Sequence, residues 1–256
     1  MPTGTRMEKK TTISIITATY NVVNDLPNLI ESLHNQSDKD FEWVVADGAS
    51  TDGTLALLKS VSNINIVTSS QPDFGIYDAL NRAIKLSSGD YYIVAGADDC
   101  FYGDAIANFR QAIEHSGADI IAASAMYGSR CMQVKKGPSW LFSQFSFIAA
   151  HTLATAFRKN LHLTYGNYSR QFPIAADQYF VMRACSGGAI RYEGDFVAGK
   201  IGQGGVSSVD RIGNATEVFR VQVATGGSIF VQTLLFLLRL LKSTMWNARK
   251  KQDTHP

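Results

Sequence analysis

Ile13-Ser14-Ile15-Ile16-Thr17-Ala18-Thr19 is the stretch on which the fold turns. It is short, apolar and β-branched and is followed by a polar turn, which predicts a buried strand. Downstream, Leu26, Leu29, Ile30 and Leu33 fall at i, i+3, i+4 and i+7, one face of a helix, with Asn24 or Asp25 to cap it and Pro27 in its first turn. Phe41-Glu42-Trp43-Val44-Val45-Ala46 reads as a second strand ending at Asp47-Gly48. Thr51-Asp52-Gly53-Thr54 then leads into Leu55-Ala56-Leu57-Leu58, a second helix with Asp52 at its N-cap. A third strand at 64–68 and a third helix at 77–84 follow. The fourth strand, Tyr91-Tyr92-Ile93-Val94-Ala95, stops at Gly96-Ala97-Asp98-Asp99. Strand and helix in strict alternation imply a Rossmann-like α/β fold, a mainly parallel sheet with helices on both faces. Ligands of such sheets bind outside the carboxyl ends of the strands.

The chain thins into weaker patterns beyond residue 100. A helix is expected over 105–115, a strand over 119–125, and a helix over 175–185 with Asp177 in its first turn. Residues 140–148 are aromatic-rich and fit either helix or loop, while 199–208, rich in Gly and Ser, read as a flexible loop. A C-terminal apolar and basic helix begins at Ile229-Phe230-Val231 and runs past Arg239 and Lys242 towards Arg249, Lys250 and Lys251. Its apolar run is short of the roughly 20 residues that span a bilayer. Gln232, Arg239 and Lys242 draw a narrow polar stripe along it, which fits an in-plane membrane helix with a basic end. Packing on the domain or against a second subunit in a homo-oligomer fits the stripe as well.

Composition bounds the function. Of 256 residues 45% are hydrophobic and 18% charged, enough to bury a core and too ordered in type for a disordered chain. A net charge of +2 argues against nucleic acid as a partner held by bulk electrostatics. The three cysteines, Cys100, Cys131 and Cys185, are widely spaced and odd in number, which suits a reducing compartment rather than a disulfide framework or a zinc site. With no secretory pattern ahead of Ile13, the expectation is a cytoplasmic protein.

Asp47, Asp98 and Asp99 follow predicted strands. Adjacent carboxylates at a strand end are costly unless a cation or a sugar hydroxyl compensates them, as a hard divalent ion bridging to a diphosphate would. The alternative is that one caps a turn and the other is solvated. Neither GxxxxGK[ST] nor GxGxxG occurs, so the NTPase and dinucleotide signatures are missing.

At this point the motifs resemble a known family. Ile13 to Asn21, Val44-Val45-Ala46-Asp47-Gly48-Ala49-Ser50-Thr51-Asp52-Gly53-Thr54, Pro72-Asp73-Phe74-Gly75-Ile76-Tyr77-Asp78-Ala79-Leu80-Asn81 and Ser88-Gly89-Asp90-Tyr91-Tyr92-Ile93 up to Asp99 look like family 2 glycosyltransferases of the GT-A fold. The nearest likeness is to the bacterial surface-polysaccharide branch, of colanic-acid and O-antigen type. It is dense over residues 12 to 100 and returns near His151, Asp177 and Gly204-Gly205-Val206-Ser207.

The resemblance implies an inverting, metal-dependent hexosyltransferase that uses a nucleotide-diphospho sugar, a UDP-sugar in the first instance. It implies that Thr17, Thr19 and Tyr20 line the nucleotide base and that Asp47 accepts its imide N–H, where the plain alternative is a turn-forming Asp-Gly. Asp99 would ligate Mg2+ or Mn2+, and Asp98 would hold the ribose or donor sugar. The chain departs from the usual Asp-Ser-Asp-Asp in carrying Gly96-Ala97 before these two. Asp177 matches the catalytic base, the alternative being a helix acid favoured by the macrodipole. His151 would touch the acceptor or the diphosphate, or else be an ordinary buried histidine. Arg158, Lys159 and Arg170 either meet a pyrophosphate or are solvated. The loop 203–208 would close over the donor.

Residues 11–100 would then be the donor-binding half and 101–225 the acceptor and catalytic-base half of one domain. Residues 226–256 would be a tail associating with membrane through 229–251, or oligomerising. The acceptor implied is a lipid-linked saccharide, and the location is peripheral on the inner face of the bacterial cell membrane. Two other classes compete. A sugar nucleotidyltransferase would need a Gly-rich, Arg-containing loop after the first strand, where this chain has Thr19-Tyr20-Asn21. A catalytically impaired sugar-nucleotide-binding accessory protein would suit Gly96-Ala97.

Overall fold

The structure is a computed structural model that describes residues 11–202 and 210–252, the last eleven of these by backbone alone. Strand β1 (Ile13–Thr19) lies inside the sheet and sends alternate residues to two cores. Ile13 and Ile15 join Trp43 and Val45 on one face, and Ile16 joins Val44 and Ala46 on the other. It pairs in parallel with β2 (Phe41–Asp47) and with β4 (Tyr91–Val94), and β2 pairs in parallel with β3 (Asn65–Ser70). All residues of β2 and β4 are buried, which is why these segments read as continuous apolar runs.

Helix α1 (Leu26–His34) buries Leu26, Leu29 and Leu33 on the first face, together with Leu58 of α2 (Thr54–Ser60). Helix α3 (Ile76–Leu86) buries Ala79, Leu80, Ala83 and Ile84 on the second. Each fully buried leucine contributes about 1.5–3 kcal/mol of transfer free energy. The order β3-β2-β1-β4 reverses direction between β1 and β4, so the strand ends there open a crevice.

The second half completes the sheet differently. β5 (Cys100–Phe101), α4 (Ala105–Ser116), β6 (Ile120–Tyr127), β7 (Arg130–Met132), α5 (Ser139–Phe142), a 3-10 turn at Ser143–Ser146, β8 (Thr155–Arg158), α6 (Leu161–Tyr165), α7 (Ala176–Ser186) and β9 (Arg191–Ile201) follow in order. The strands run β3-β2-β1-β4-β8-β6-β9-β5, with β7 beside β6. β8 inserts antiparallel between β4 and β6, β9 is parallel to β6, and β5 and β7 are antiparallel edges. The parallel arrangement therefore holds for β1 to β4 and gives way to a mixed sheet beyond them. The chain re-enters β8 after a turn at Leu153 (φ 60) rather than through a crossover helix.

Two local expectations change. Gly199, Lys200 and Ile201 belong to β9 and not to a loop; a Cβ on Gly199 would stand 2.2 Å from the Cys100 carbonyl oxygen, so only glycine lets the two edges meet. The remainder of that expected loop, 203–208, lies outside the described residues. Asp52 is not the N-cap of α2, because Gly53 (φ 99) takes that position. Its carboxylate instead accepts from the Thr54 backbone and hydroxyl and from Val23 N, bracing the loop between β1 and β2.

α8 (Arg211–Ala224) and α9 (Ile229–Gln252) close the chain and pack together, Phe219 against Phe236 at 5.4 Å. Two residues of the polar stripe of α9 turn inward: Gln232 is fully buried and donates to the Trp140 carbonyl, and Arg239 faces the Leu141 carbonyl. Its outer face is an apolar ridge of Phe230, Leu234, Leu237, Leu238 and Leu241, with Phe230 85% exposed. Among the described residues no helix is long and apolar enough to cross a membrane.

Candidate active site

Asp47 ends β2 fully buried. Its carboxylate accepts from the Ser50 backbone and hydroxyl, the Ser70 hydroxyl and the Thr19 hydroxyl, at 2.9, 2.5, 2.8 and 3.0 Å. Burial pushes its pKa up, but these bonds together outweigh burial and hold it below the ordinary value. Tyr20, 66% exposed, stands beside Gly48, where an added Cβ would come within 3.3 Å of the ring. Thr17 does not face this crevice: it is fully buried, and its hydroxyl accepts from the Trp43 indole at 3.0 Å. The expected role of its side chain at the base is corrected accordingly, since the pleat turns it into the core with Ile13 and Ile15.

Asp98 is exposed and Asp99 is 1% exposed. The oxygens of Asp99 accept from Gly96 N at 2.7 Å and Gly202 N at 2.9 Å, and the Thr152 side chain adds a third bond. Burial raises its pKa to about 6, the three hydrogen bonds opposing and the neighbouring Asp98 reinforcing the rise. Gly202 carries no side chain because a Cβ there would lie 1.9 Å from the Asp98 carboxyl carbon.

Among the described residues no group of three or more His, Cys, Asp or Glu could hold a metal unaided. A hard divalent ion takes one or two carboxylates plus substrate phosphate oxygens, and the Asp98–Asp99 pair fits that share of the ligands. Of the two, Asp98 is exposed to solvent, whereas Asp99 is buried and accepts from two backbone N–H groups.

Asp177 sits in the first turn of α7, 16% exposed, with Oδ2 3.9 Å from His151 Nδ1. The Tyr77 hydroxyl is 2.7 Å from Asp177 Oδ1 and 2.8 Å from the Ile174 carbonyl, donating to one at a time. Behind His151 runs a buried relay: Nε2 to Tyr168 Oη at 2.7 Å, Tyr168 to Tyr92 at 3.0 Å, Tyr92 to His162 Nε2 at 2.7 Å, and His162 Nδ1 to the Gly166 carbonyl at 3.0 Å. The carbonyl end assigns every proton. His162 must donate from Nδ1, and burial pushes its pKa down to about 4, so Nε2 accepts from Tyr92. Tyr92 then accepts from Tyr168, and Tyr168 from His151 Nε2–H. His151 is neutral too, because burial lowers its pKa more than Asp177 raises it. Its Nδ1 lone pair is left facing Asp177 across 3.9 Å, beyond hydrogen-bond reach and, with the ring neutral, not an ion pair.

Two neighbours in sequence join these places: His151 borders Asp177, and Thr152 bonds Asp99. Helix α3 joins a third, with Tyr77 at Asp177 and Arg82 donating to the Asp47 carbonyl at 2.7 Å.

The pattern that defines Glycosyl transferase family 2 matches residues 14–183. The chain belongs to glycosyl transferase family 2. A PGL/p-HBAD biosynthesis glycosyltransferase of Mycobacterium bovis is 32% identical over 208 residues, covering 76% of this chain and 78% of the relative. Among solved structures, TarS of S. aureus aligns with a TM-score of 0.68 at 21% identity, over 89% of this chain but only 43% of TarS. Its fragment 1-349 in complex with UDP-GlcNAc aligns at 0.68 over 90% and 71%, with 19% identity. A mannosyltransferase of Pyrobaculum calidifontis in complex with GDP-Man and Mn2+ aligns at 0.66 over 84% and 64%, with 17% identity. These neighbours share the GT-A fold with this family 2 chain.

Within this family 2 site, several residues carry no sequence signal of their own. Arg82 has Nε and Nη1 buried with no hydrogen-bond partner among the described residues. Glu217 of α8, 7% exposed, accepts from Ile174 N and Ala175 N, both at 2.8 Å, and so clamps the start of α7. Tyr77 falls inside a quoted motif, yet only the fold brings it to Asp177. The basic residues expected near a pyrophosphate are elsewhere. Arg158 pairs with Asp119 and covers Tyr91 at the opposite strand end, Lys159 bonds the Ser87 carbonyl there, and Arg170 ties Asp78 to the loop before α7.

Proposed function

We propose that this glycosyltransferase moves a hexose from a nucleotide-diphospho sugar, a UDP-sugar in the first instance, to a hydroxyl of a lipid-linked saccharide with inversion at the anomeric carbon. The observation that carries the reading is the pair His151–Thr152, one residue beside the candidate base and the next on the candidate metal carboxylate. Residues 11–100 bind the donor, with the base stacked on Tyr20 and its imide N–H received by Asp47 once a serine or threonine hydroxyl yields. Residues 101–225 bring the acceptor to Asp177.

Mg2+ or Mn2+, held by Asp98 and Asp99 together with the donor's own oxygens, would neutralise charge on the departing diphosphate. Asp177 Oδ2 takes the proton of the acceptor hydroxyl. The acceptor oxygen bonds the anomeric carbon from the face opposite the diphosphate, whose C–O bond breaks with the electron pair leaving on the nucleotide. The proton stays on Asp177 until it is lost to solvent, while the tyrosine relay fixes the His151 tautomer that turns a lone pair towards it. The outward ridge of α9 would lie in the inner face of the cell membrane, with Lys242, Arg249, Lys250 and Lys251 of the same helix favouring anionic lipid.

The neighbours solved with UDP-GlcNAc and with GDP-Man and Mn2+ support a nucleotide-sugar donor and a divalent ion. A thermal-shift screen of UDP-, GDP- and dTDP-sugars with and without Mn2+ tests the reading, followed by NMR of the product's anomeric centre. One donor should stabilise the chain in a metal-dependent way, by about 2.7 kcal/mol at a hundredfold excess over Kd. The product anomer should be inverted. Retained configuration contradicts the reading, and binding without transfer or hydrolysis favours a sugar-nucleotide-binding accessory protein.

A further inference from the structure

α8 presents Arg211, Asn214, Ala215 and Val218 at i, i+3, i+4 and i+7, along one face. That face, α9, α7 and the α5 turn enclose a cleft of about 380 Å³. Lys135, Arg211 and Arg239 line it, and among the described residues no carboxylate does. The Lys135 ammonium is held over the Phe142 and Phe145 rings, 5.2 and 5.1 Å from their centres. Arg239 Nη1 is buried with no hydrogen-bond partner among the described residues, and its Nη2 reaches the Leu141 carbonyl only at 3.5 Å. Gln178, 5% exposed, leaves Nε2 equally unmatched, and Ser143, 4% exposed, its hydroxyl.

Buried donors without acceptors, gathered with three cations, make a site for a compact anion rich in oxygens. Leu141, Phe142 and Val218 supply apolar wall on the same cleft. Its position narrows the ligand further. Gln178 follows Asp177 in α7, so cleft and candidate base share one helical turn. Arg239 belongs to α9, whose opposite face is the exposed apolar ridge.

We propose that this cleft holds the phosphate headgroup of the lipid-linked acceptor, its saccharide extending to Asp177 and its hydrocarbon chain leaving along α9. The proposal rests on the glycosyl-transfer reading and assigns that reaction a subsite. Phosphate oxygens take the N–H groups of Arg239 and Gln178 and the Ser143 hydroxyl, with Lys135 and Arg211 balancing the charge.

Flotation of the full chain tests it with three vesicles: phosphatidylcholine alone, phosphatidylcholine with a polyisoprenyl phosphate, and phosphatidylcholine with phosphatidylglycerol at equal surface charge. Binding to the first reports the α9 ridge. The polyisoprenyl phosphate should tighten binding about tenfold over both others. Arg239→Gln and Gln178→Glu, from opposite walls, should each remove that gain, while Arg239→Lys keeps most of it. The UDP-sugar thermal shift, run on the same variants, reports the fold and the donor site separately. Equal binding to phosphatidylglycerol vesicles would reduce the cleft to surface charge, and displacement by UDP would hand it to the donor's diphosphate. Either result, or a gain that survives both variants, overturns the proposal while leaving the donor reading to its own assay.

Discussion

Arg82 spends one N–H on the Asp47 carbonyl and keeps Nε and Nη1 buried without an acceptor among the described residues. An unmatched buried donor costs about 1–3 kcal/mol, a cost removed when a ligand oxygen arrives. Arg82→Gln should therefore weaken donor binding by about tenfold or more in calorimetric titration, with the melting temperature unchanged or raised. A lowered melting temperature with unchanged donor affinity would make Arg82 a brace and not a contact. Asp47 was legible from its place after an apolar run in an alternating chain. Arg82 was not, because it sits in mid-helix and nothing in its spacing marks which way it points. Thr17 could have been read correctly from parity alone: it shares the face of Ile13 and Ile15, both in the core.

The element that matters most to the proposed chemistry is α7, whose first turn carries the candidate base Asp177. Its entry is held by Glu217 from α8 and by Tyr77 from α3. Glu217→Ala leaves two buried N–H groups unmatched, which should cost about 1–3 kcal/mol of stability in urea unfolding. It should also lower kcat at unchanged donor affinity, since the proposed donor site lies at other strand ends. A stability loss with kcat untouched would confine Glu217 to the fold.

α7 was expected from its sequence, whereas α8 was not, for a physical reason: its buried positions include Glu217 and Gln222 beside Ala215 and Val221, which breaks the apolar period. β8 carries little sequence signal because only four residues form it, and β9 little because Arg191, Glu193 and Asp195 along it are polar and two glycines interrupt it. α9 was seen, but its orientation depends on the Trp140 and Leu141 carbonyls that receive its polar stripe.

At the scale of the whole molecule, the relay from His151 to His162 crosses the second core and is neutral throughout. His162, pushed down to about 4 by burial, binds its proton more readily when unfolded, where about 6.5 applies. Its share of stability is complete above pH 6.5 and is lost as pH falls towards 4, at most about 3 kcal/mol. Urea midpoints at stepped pH should fall across that window in the wild type and fall less in His162→Gln. A flat profile from pH 7 to 4.5 would contradict the neutral relay. The parallel half of the sheet was legible because fully buried strands are apolar along their whole length. The mixed half was not, because its pairings join segments distant in the chain through short, half-exposed strands.

What the whole fold accomplishes is convergence: Asp47 at the end of β2, and Asp98 and Asp99 in the turn after β4, lie on the side where Thr152, His151 and Tyr77 lead to Asp177. Sugar transfer by Asp177→Asn, measured beside donor affinity on the same protein, tests that convergence most directly. Unchanged donor affinity with transfer reduced by about 10²–10⁴ is the expected result; transfer at the wild-type rate would contradict it.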